Sequence, residues 1–416
     1  MNTEPQNSRC CRGLSEPTPT AFLSEDLIVE IISWLRVKPL MKMKCVSKSF
    51  NSLICDPKFV KMHRKRSSRN TLSYLVSYKD DFKKVDEDTV VWSMTNLHNN
   101  NNLPAEDDYS FVPFSVGDLL KTPSMIPSLD DPYYCLIDKD CRKVVGSCNG
   151  LVCLLGSSEH QTWFRFWNPA TRTISNKLGF LCNVKYRYKL TDWRFTFGYD
   201  NSTDTYKVVA LLLGNHPRKT VVRVLNFGDN IWRSIPSFPA KPLQVAVSSQ
   251  ISRGFNGVHL NGTVNWLAFG RGRSDLFVIV SLDLSTETYK IFRVPRFSHE
   301  ELNVIPRLCV MMNNLYLYHD VNKTDFVIWI MTKFGDDKSW TRNHLLSSHD
   351  VLGLNIKYDL FSCFNLYLNR GTMLFLQDDK AILAHLLTGT PLKSIFNKKI
   401  CWLSMNNYVE TLVSTR

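Results

Sequence analysis

The chain has 416 residues, 44% of them hydrophobic and 12% aromatic, so it is too long for one ordinary domain and apolar enough for a sizeable core. No apolar run approaches the length of a membrane span and the first thirty residues show no secretory signal, which argues against a membrane-spanning or exported protein. The formal net charge of +13 favours an anionic partner, but the charge is unevenly placed. Positions 21–70 hold eleven Lys and Arg against four Asp and Glu, whereas positions 70–145 hold seven against thirteen.

Residues 1–20 are polar and contain three prolines, which predicts a disordered tail. Residues 21–66 then show three or four short amphipathic helical patterns. Ser24 can cap the first, and Pro39 stands where a second would begin. The third runs through Phe50, and Asp56-Pro57 starts the last. Because helices this short cannot bury their apolar faces among themselves, they predict a docked partner.

The most specific part of this region runs from Leu23 to Ile54 and reads LSEDLIVEIISWLRVKPLMKMKCVSKSFNSLI. It resembles an F-box, the helical motif that docks on a Skp-type adaptor of a cullin ubiquitin ligase. The family usually has proline where Ser24 and Arg36 stand, and tryptophan where Phe50 stands. The resemblance implies an F-box over 21–66 whose adaptor-binding residues are Leu23, Leu27, Ile31, Leu35, Leu40, Val46, Phe50 and Leu53.

Beyond this module, short strand patterns alternate with Asn-Gly and Asp-rich turns, and no long helical pattern interrupts them. Weak repeats recur along the chain: Asn149-Gly150, Asn261-Gly262 and Asn313 as hairpin turns, and a turn followed by Tyr-Lys at Tyr206-Lys207 and Tyr289-Lys290. Repeating units of about 45 to 55 residues match four-stranded propeller blades. We therefore expect a mainly β protein with a small N-terminal all-α module, in which residues 67–416 form a β-propeller-like body of about six blades. The alternative is a β-sandwich, which the number of strands argues against.

Four segments of this body carry a second resemblance: GSCNGLVCL at 146–154, WNPATR at 167–172, FGYDNSTDTYKVV at 197–209 and YVETLVS at 408–414. They are similar to the F-box-associated domain of plant F-box proteins, sometimes labelled F-box/kelch-repeat. The glycine-pair signature of true kelch repeats is missing. The resemblance therefore implies the associated domain rather than a kelch domain.

The clearest candidate for chemistry is Gly146-Ser147-Cys148-Asn149-Gly150, which has the G-x-C-x-G form of a nucleophile elbow. Such an elbow needs a helix after the turn, but a strand-like run follows here, so a hairpin turn is predicted instead.

Metal and acid-base sites are not indicated either. The clustered Cys135, Cys141, Cys148 and Cys153 contain no C-x-x-C pair, which predicts reduced, buried thiols rather than a zinc site. None of His259, His319 and His385 is spaced with a carboxylate as a ligand pair. We predict no catalytic residue, no metal and no cofactor.

Basic and aromatic residues alternate in Lys185-Tyr186-Arg187-Tyr188-Lys189, the nearest candidate for nucleic-acid contact. A solvated loop or edge strand explains this run as well, so no nucleic acid and no membrane are predicted as partners. If the body instead binds a target protein, these residues are candidates for that contact, and so are two arginines of a further loop. The candidate target-binding residues are Lys185, Tyr186, Arg187, Tyr188, Lys189, Arg271 and Arg273.

Together, these features favour a non-catalytic substrate receptor of an SCF-type (Skp-cullin-F-box) ubiquitin ligase, with a Skp-type adaptor, a cullin and an unknown target protein as partners, in the cytoplasm, the nucleus or both. Two alternatives stay open. One is an adaptor-independent interaction scaffold with a degenerate F-box, and the other is a hydrolase that uses Cys148.

Overall fold

A computed structural model describes the chain over residues 23–70, 73–80, 109–115, 141–158, 160–182, 193–213, 220–243, 257–270, 276–297, 305–321, 325–345, 365–369, 372–377, 380–385, 391–396 and 400–415. The predicted tail, Cys135 and all seven candidate target-binding residues lie outside these ranges.

Four helices form the first part of the described chain, which we call the helical module (23–70). They are α1 (Glu25–Ile32), α2 (Val37–Lys44), α3 (Lys48–Cys55) and α4 (Pro57–Asn70). Helix α2 begins two residues before the predicted Pro39, which is tolerated because the first-turn amide has no partner within the helix. None of the helices in the described ranges has the length and apolar character needed to cross a membrane.

Strands, their connecting turns and one short 3-10 helix (Asp337–Ser339) make up the rest of the described chain. The first two are β1 (Ser73–Asp80) and β2 (Tyr109–Ser115). The next sheet contains β3 (Cys141–Cys148), β4 (Leu151–Ser157), β5 (Gln161–Asn168), β6 (Thr173–Ile174) and β7 (Leu178–Cys182). It is followed by β8 (Trp193–Asp200), β9 (Thr205–Leu212), β10 (Val221–Asn226) and β11 (Trp232–Ile235).

A fourth group contains β12 (Lys241–Pro242), β13 (Val258–Leu260), β14 (Thr263–Phe269), β15 (Phe277–Asp283) and β16 (Tyr289–Arg293). Two sheets of four strands then follow. They are β17 (Arg307–Met311), β18 (Asn314–Val321), β19 (Asp325–Met331) and β20 (Trp340–Leu345), and β21 (Asn365–Asn369), β22 (Thr372–Gln377), β23 (Lys380–His385) and β24 (Pro391–Phe396). The last strand, β25 (Ile400–Tyr408), pairs with β1.

The described strands form six antiparallel sheets that are arranged as a ring. Strand β3 contacts β8, β8 contacts β13, β13 contacts β17 and β17 contacts β21, so each sheet touches the next in sequence order. Strand β25 contacts β22 on one side and β3 on the other, which closes the ring. The closing sheet has the order β2-β1-β25 and therefore joins early and late parts of the chain. The predicted mainly β, propeller-like body behind a small all-α module is confirmed.

Tight hairpins connect β3 to β4 and β13 to β14. Asn149 and Gly150 both have positive φ (47° and 84°), as do Asn261 and Gly262 (48° and 79°), which is the geometry of two-residue turns in antiparallel hairpins. Cys148 pairs with Leu151 across the first of these turns. The elbow-like sequence around Cys148 is therefore a hairpin, as predicted.

A second turn type repeats at the other hairpins. The Asp200 carboxylate accepts the amide of Ser202 at 2.9 Å, and Asp283 accepts the amide of Ser285 at 2.8 Å. Threonine hydroxyls two residues apart bond to one another in both turns. These side chains satisfy the turn backbone and so allow the chain to reverse direction between β8 and β9 and between β15 and β16.

Candidate functional site

Side-chain caps fix where the helices of the helical module begin. The Ser24 hydroxyl accepts the Leu27 amide at 3.4 Å at the start of α1, and the Ser47 hydroxyl accepts the Phe50 amide at 3.1 Å at the start of α3. Asp56 does the same at the start of α4. Each cap satisfies a backbone donor that has no partner within its own helix. The caps therefore set which faces of the short helices point inwards.

The inward faces form one small core. Four side chains are fully or almost fully buried there: Ile32, Leu40, Ile54 and Phe59. The predicted adaptor-binding residues Leu35, Phe50 and Leu53 are half-buried and pack against this core. Leu40 departs from the prediction, because none of its side chain is exposed. It supports the module from inside, since the turn of α2 that carries it faces the other helices.

The outward face of α1 is apolar. Leu23, Leu27 and Ile31 recur every four residues, and each is about half exposed, with Leu27 at 52%. Val46, between α2 and α3, is 73% exposed. Large apolar side chains at this exposure, repeated along one helix, mark a surface that a partner can cover. The structure therefore places these four predicted residues on the surface of the module.

Trp34 belongs to the same exposed surface, but it is not among the adaptor-binding residues predicted from the sequence. It lies three residues after Ile31, and half of its side chain is exposed. Its indole N–H donates to Glu30 at 3.3 Å, and the Arg66 guanidinium lies 4.8 Å from its ring centroid. The helical spacing from Leu27 and Ile31 was a signal that could have identified it.

The helical module also has a basic surface. Exposed lysines occur on α2, α3 and α4: Lys38, Lys42, Lys48, Lys58, Lys61 and Lys65. A surface with apolar side chains and many ammonium groups is suited to an acidic protein that presents an apolar groove.

The structure brings Cys148 and His259 together, which tests the hydrolase alternative. The Cys148 Sγ lies 3.4 Å from His259 Nδ1, while His259 Nε2 lies within 3.2 Å of the Tyr199 backbone. Burial raises the pKa of the Cys148 thiol to about 12 and lowers the pKa of the His259 imidazole to about 4. Because the thiolate is the nucleophilic form of cysteine, a thiol that stays protonated at neutral pH is poorly suited to attack. The two side chains lie where β3, β8 and β13, from three different sheets, come together.

The other predicted thiols agree with a structural role. Cys141 and Cys153 are buried and unbridged, like Cys148. In the described ranges, no three side chains of His, Cys, Asp or Glu come together as a metal site would require.

These features define a class of protein that joins a helical docking module to a β-propeller body. The profile of the F-box domain family matches residues 22–62, and that of the F-box associated β-propeller domain family matches residues 114–415. The chain belongs to the F-box associated β-propeller family and is a plant F-box protein.

The chain is similar to two F-box proteins of Arabidopsis thaliana over about three quarters of its length. An F-box/kelch-repeat protein of Arabidopsis thaliana is 28% identical over 323 residues, covering 76% of this chain and 77% of the relative. An F-box protein of the same plant is 26% identical over 329 residues, covering 76% of this chain and 89% of the relative. The β-propeller domain of the trilobed protease from Pyrococcus furiosus has a TM-score of 0.30 and 8% identity, covering 66% of this chain and 97% of that one.

Proposed function

We propose that this chain is the substrate-recognition subunit of an SCF-type ubiquitin ligase. The observation that carries the proposal is the exposed apolar surface of Leu23, Leu27, Ile31, Trp34 and Val46, on an F-box whose inner core is already formed by other residues. A Skp-type adaptor is the partner that an F-box implies, and the exposed lysines of the module complement an acidic adaptor.

The catalytic contribution of such a subunit is proximity. The adaptor and cullin would hold the F-box at one end of the complex, and the propeller would hold a target protein at the other. A target lysine is then kept at high effective concentration near the ubiquitin thioester, and the chain itself supplies no reacting group. The cytoplasm or nucleus is the proposed location, since the ligase components act there.

Adaptor binding can be tested with the purified full chain and a purified plant Skp-type adaptor. We expect Leu27→Glu combined with Ile31→Glu to weaken binding at least about 100-fold, because two carboxylates would replace side chains at the centre of the contact. Isothermal titration calorimetry measures the affinity, and circular dichroism checks that the fold is kept.

Ile291→Glu is the matched control, because Ile291 is 51% exposed on β16 of the propeller, against 52% for Leu27 on the F-box. It should leave adaptor affinity unchanged. A wild-type chain that binds no adaptor would instead favour the adaptor-independent scaffold.

A further inference from the structure

Residues 408–415, which begin at the last residue of β25, lie between the helical module and the propeller, and we call them the 408–415 segment. Tyr408, Thr411 and Val413 contact the propeller. Glu410 and Leu412 contact the helical module.

Thr411 and Val413 attach the segment to the propeller, in addition to Tyr408, whose hydroxyl accepts the Ala170 amide at 3.1 Å. Asn168 Nδ2, at the end of β5, donates to the carbonyl oxygens of Thr411 (2.9 Å) and Val413 (2.8 Å). The Thr411 hydroxyl donates to the Asn149 carbonyl at 3.3 Å, and the Val413 side chain packs against the core between the sheets of β3–β7 and β8–β11. Thr411 is fully buried. This side of the segment is therefore firmly attached to the propeller.

Gly150 shows how close that attachment is. A Cβ atom built on Gly150 would lie 2.7 Å from the Val409 carbonyl oxygen, inside the closest approach that real Cβ atoms show. The hairpin turn needs glycine here both for its positive φ and for the space that the segment occupies.

Two residues of the segment, Glu410 and Leu412, contact the helical module. The Leu412 side chain packs against the core formed by Ile32, Leu40, Ile54 and Phe59. The Glu410 carboxylate accepts from Arg36 at 2.7 Å, at the turn between α1 and α2. Leu412 is the only residue of this core cluster that lies outside the helical module, within the described chain.

A second contact joins α4 to the propeller. Asp204, at the tip of the β8–β9 hairpin, lies 3.4 Å from Lys61 Nζ and 3.3 Å from an Arg64 nitrogen. Arg64 also donates to the Tyr199 hydroxyl at 2.9 Å, and its guanidinium lies 4.6 Å from the centroid of that ring. The propeller therefore touches the helical module at two separate places.

We infer that the F-box of this chain is completed by its own 408–415 segment, so that the order of its helices, and the direction in which it presents its apolar surface, depend on the propeller. The four-residue core of the helical module is small for an independent unit, and a module of this size is marginal without added burial. Leu412 supplies burial, while the Glu410 carboxylate pairs with Arg36 between α1 and α2 and the Asp204 carboxylate pairs with Lys61 and Arg64 on α4. The consequence for adaptor affinity rests on the proposed function.

Hydrogen exchange followed by mass spectrometry on the full chain tests the inference without any adaptor. We expect Leu412→Asp to raise amide exchange rates in α1–α4 at least about tenfold, because a charge would replace the apolar contact with the module's core. Exchange in β14 and β15, which belong to a different sheet from β5 and β25, should stay unchanged. Unchanged exchange in the helices would overturn the inference.

A milder set of variants keeps the test decisive if Leu412→Asp does not fold. Asp204→Asn and Glu410→Gln together should raise exchange in α1–α4 about two- to fivefold, the range for losing exposed ion pairs. Glu287→Gln is the control. Glu287 lies at the tip of the β15–β16 hairpin with the same φ as Asp204, 55°, but it pairs with Arg233 of the propeller. It should leave the helices unaffected. An equal effect of the control would contradict the inference.

Adaptor titration of the same proteins separates this inference from the proposed function. If the helices loosen in Leu412→Asp and adaptor affinity falls about tenfold or more, both stand, since only the ordered module binds. If the helices loosen but the wild-type chain binds no adaptor, the inference stands and the proposed function fails. If the helices do not loosen, the inference fails whatever the adaptor does.

Discussion

Lys207 and Lys290 match in sequence, since each follows a turn and a tyrosine near the start of a strand. They lie in different strands of their sheets, because β9 is the second strand of one sheet and β16 is the last strand of the next. The structure gives them different environments. Lys207 is buried, lies 2.9 Å from the buried Asp200 carboxylate and donates to the Leu284 carbonyl of the neighbouring sheet. Lys290 is exposed on β16. Burial raises the pKa of Asp200, but the Lys207 ammonium and hydrogen bonds from Ser202 and Thr203 outweigh it and hold that pKa below its ordinary value.

We predict that Lys207→Met lowers the free energy of unfolding by about 3 kcal/mol, because it leaves the Asp200 carboxylate buried without its partner. Lys290→Met, at the matching position, should change it by less than about 0.5 kcal/mol. Urea denaturation followed by tryptophan fluorescence measures both. Equal effects of the two substitutions would show that the buried ion pair does not stabilise the fold.

His259 makes the stability of the propeller depend on pH. Its folded-state pKa of about 4 lies below the ordinary value of 6.5, because burial disfavours the imidazolium. As pH falls from about 6.5 to about 4, the unfolded chain takes up a proton that the folded chain does not, so the free energy of unfolding decreases by about 3 kcal/mol. Above pH 6.5 this contribution no longer changes with pH.

Urea denaturation at pH 7, 6 and 5 checks this prediction. His259→Gln should remove the part of the loss between pH 7 and 5 that His259 causes and keep the part due to His63, whose pKa burial also lowers. The substitution also lowers stability at pH 7 by disturbing the contacts with Cys148 and Tyr199. His160→Gln, at an exposed turn position, should keep the wild-type pH profile. The prediction fails if the slope of stability against pH is the same with and without His259.

At the scale of single elements, the caps of the helical module make a clear prediction. Ser47→Ala should lower stability by about 1 kcal/mol, because the Phe50 amide loses its acceptor at the start of α3. Ser49→Ala, exposed and inside the same helix, should be neutral or slightly stabilising, since alanine favours helices. Hydrogen exchange of the α3 amides measures the difference. A larger effect at Ser49 would contradict the capping role of Ser47.

Local signals in the sequence were sufficient to predict many helices, strands and turns and part of the candidate site. Ser24 as a cap and Asn149-Gly150 and Asn261-Gly262 as hairpins depend on residues close in sequence, and all three are confirmed. The inward direction of Leu40 could not be predicted, because an apolar stripe on a short helix does not show whether its own module or a partner covers it. Trp34 was missed although its spacing matches Leu27 and Ile31.

At the scale of the whole molecule, the contacts that close the ring and complete the helical module join residues far apart in sequence. Ser73 pairs with Tyr408 between β1 and β25, and Leu412 reaches the core around Leu40. No local periodicity records such pairings, since each strand pattern is compatible with many neighbours. The repeat length was enough to predict the number of blades. It could not predict that the helical module and the 408–415 segment share one core.

Ring closure makes a prediction about the helical module. Strand β1 lies between β2 and β25, so a proline at Val76 in its middle removes an amide from a central strand. We expect Val76→Pro to lower the free energy of unfolding by at least about 3 kcal/mol. Because the 408–415 segment directly follows β25, loosening β25 should also raise amide exchange in α1–α4.

The control is Phe111→Pro in β2, which lies at the edge of the described sheet. Pro113 already stands two residues further along β2, and backbone amides two residues apart in a strand point in the same direction. We therefore expect the Phe111 amide to point away from β1, so this substitution should cost less than about 1 kcal/mol and leave the helices unchanged. If Val76→Pro destabilises the propeller while exchange in α1–α4 stays at the wild-type rate, the helical module is stable without the closed ring. Exchange that rises in the propeller and the helices together would instead show that ring closure and the order of the F-box are one cooperative property.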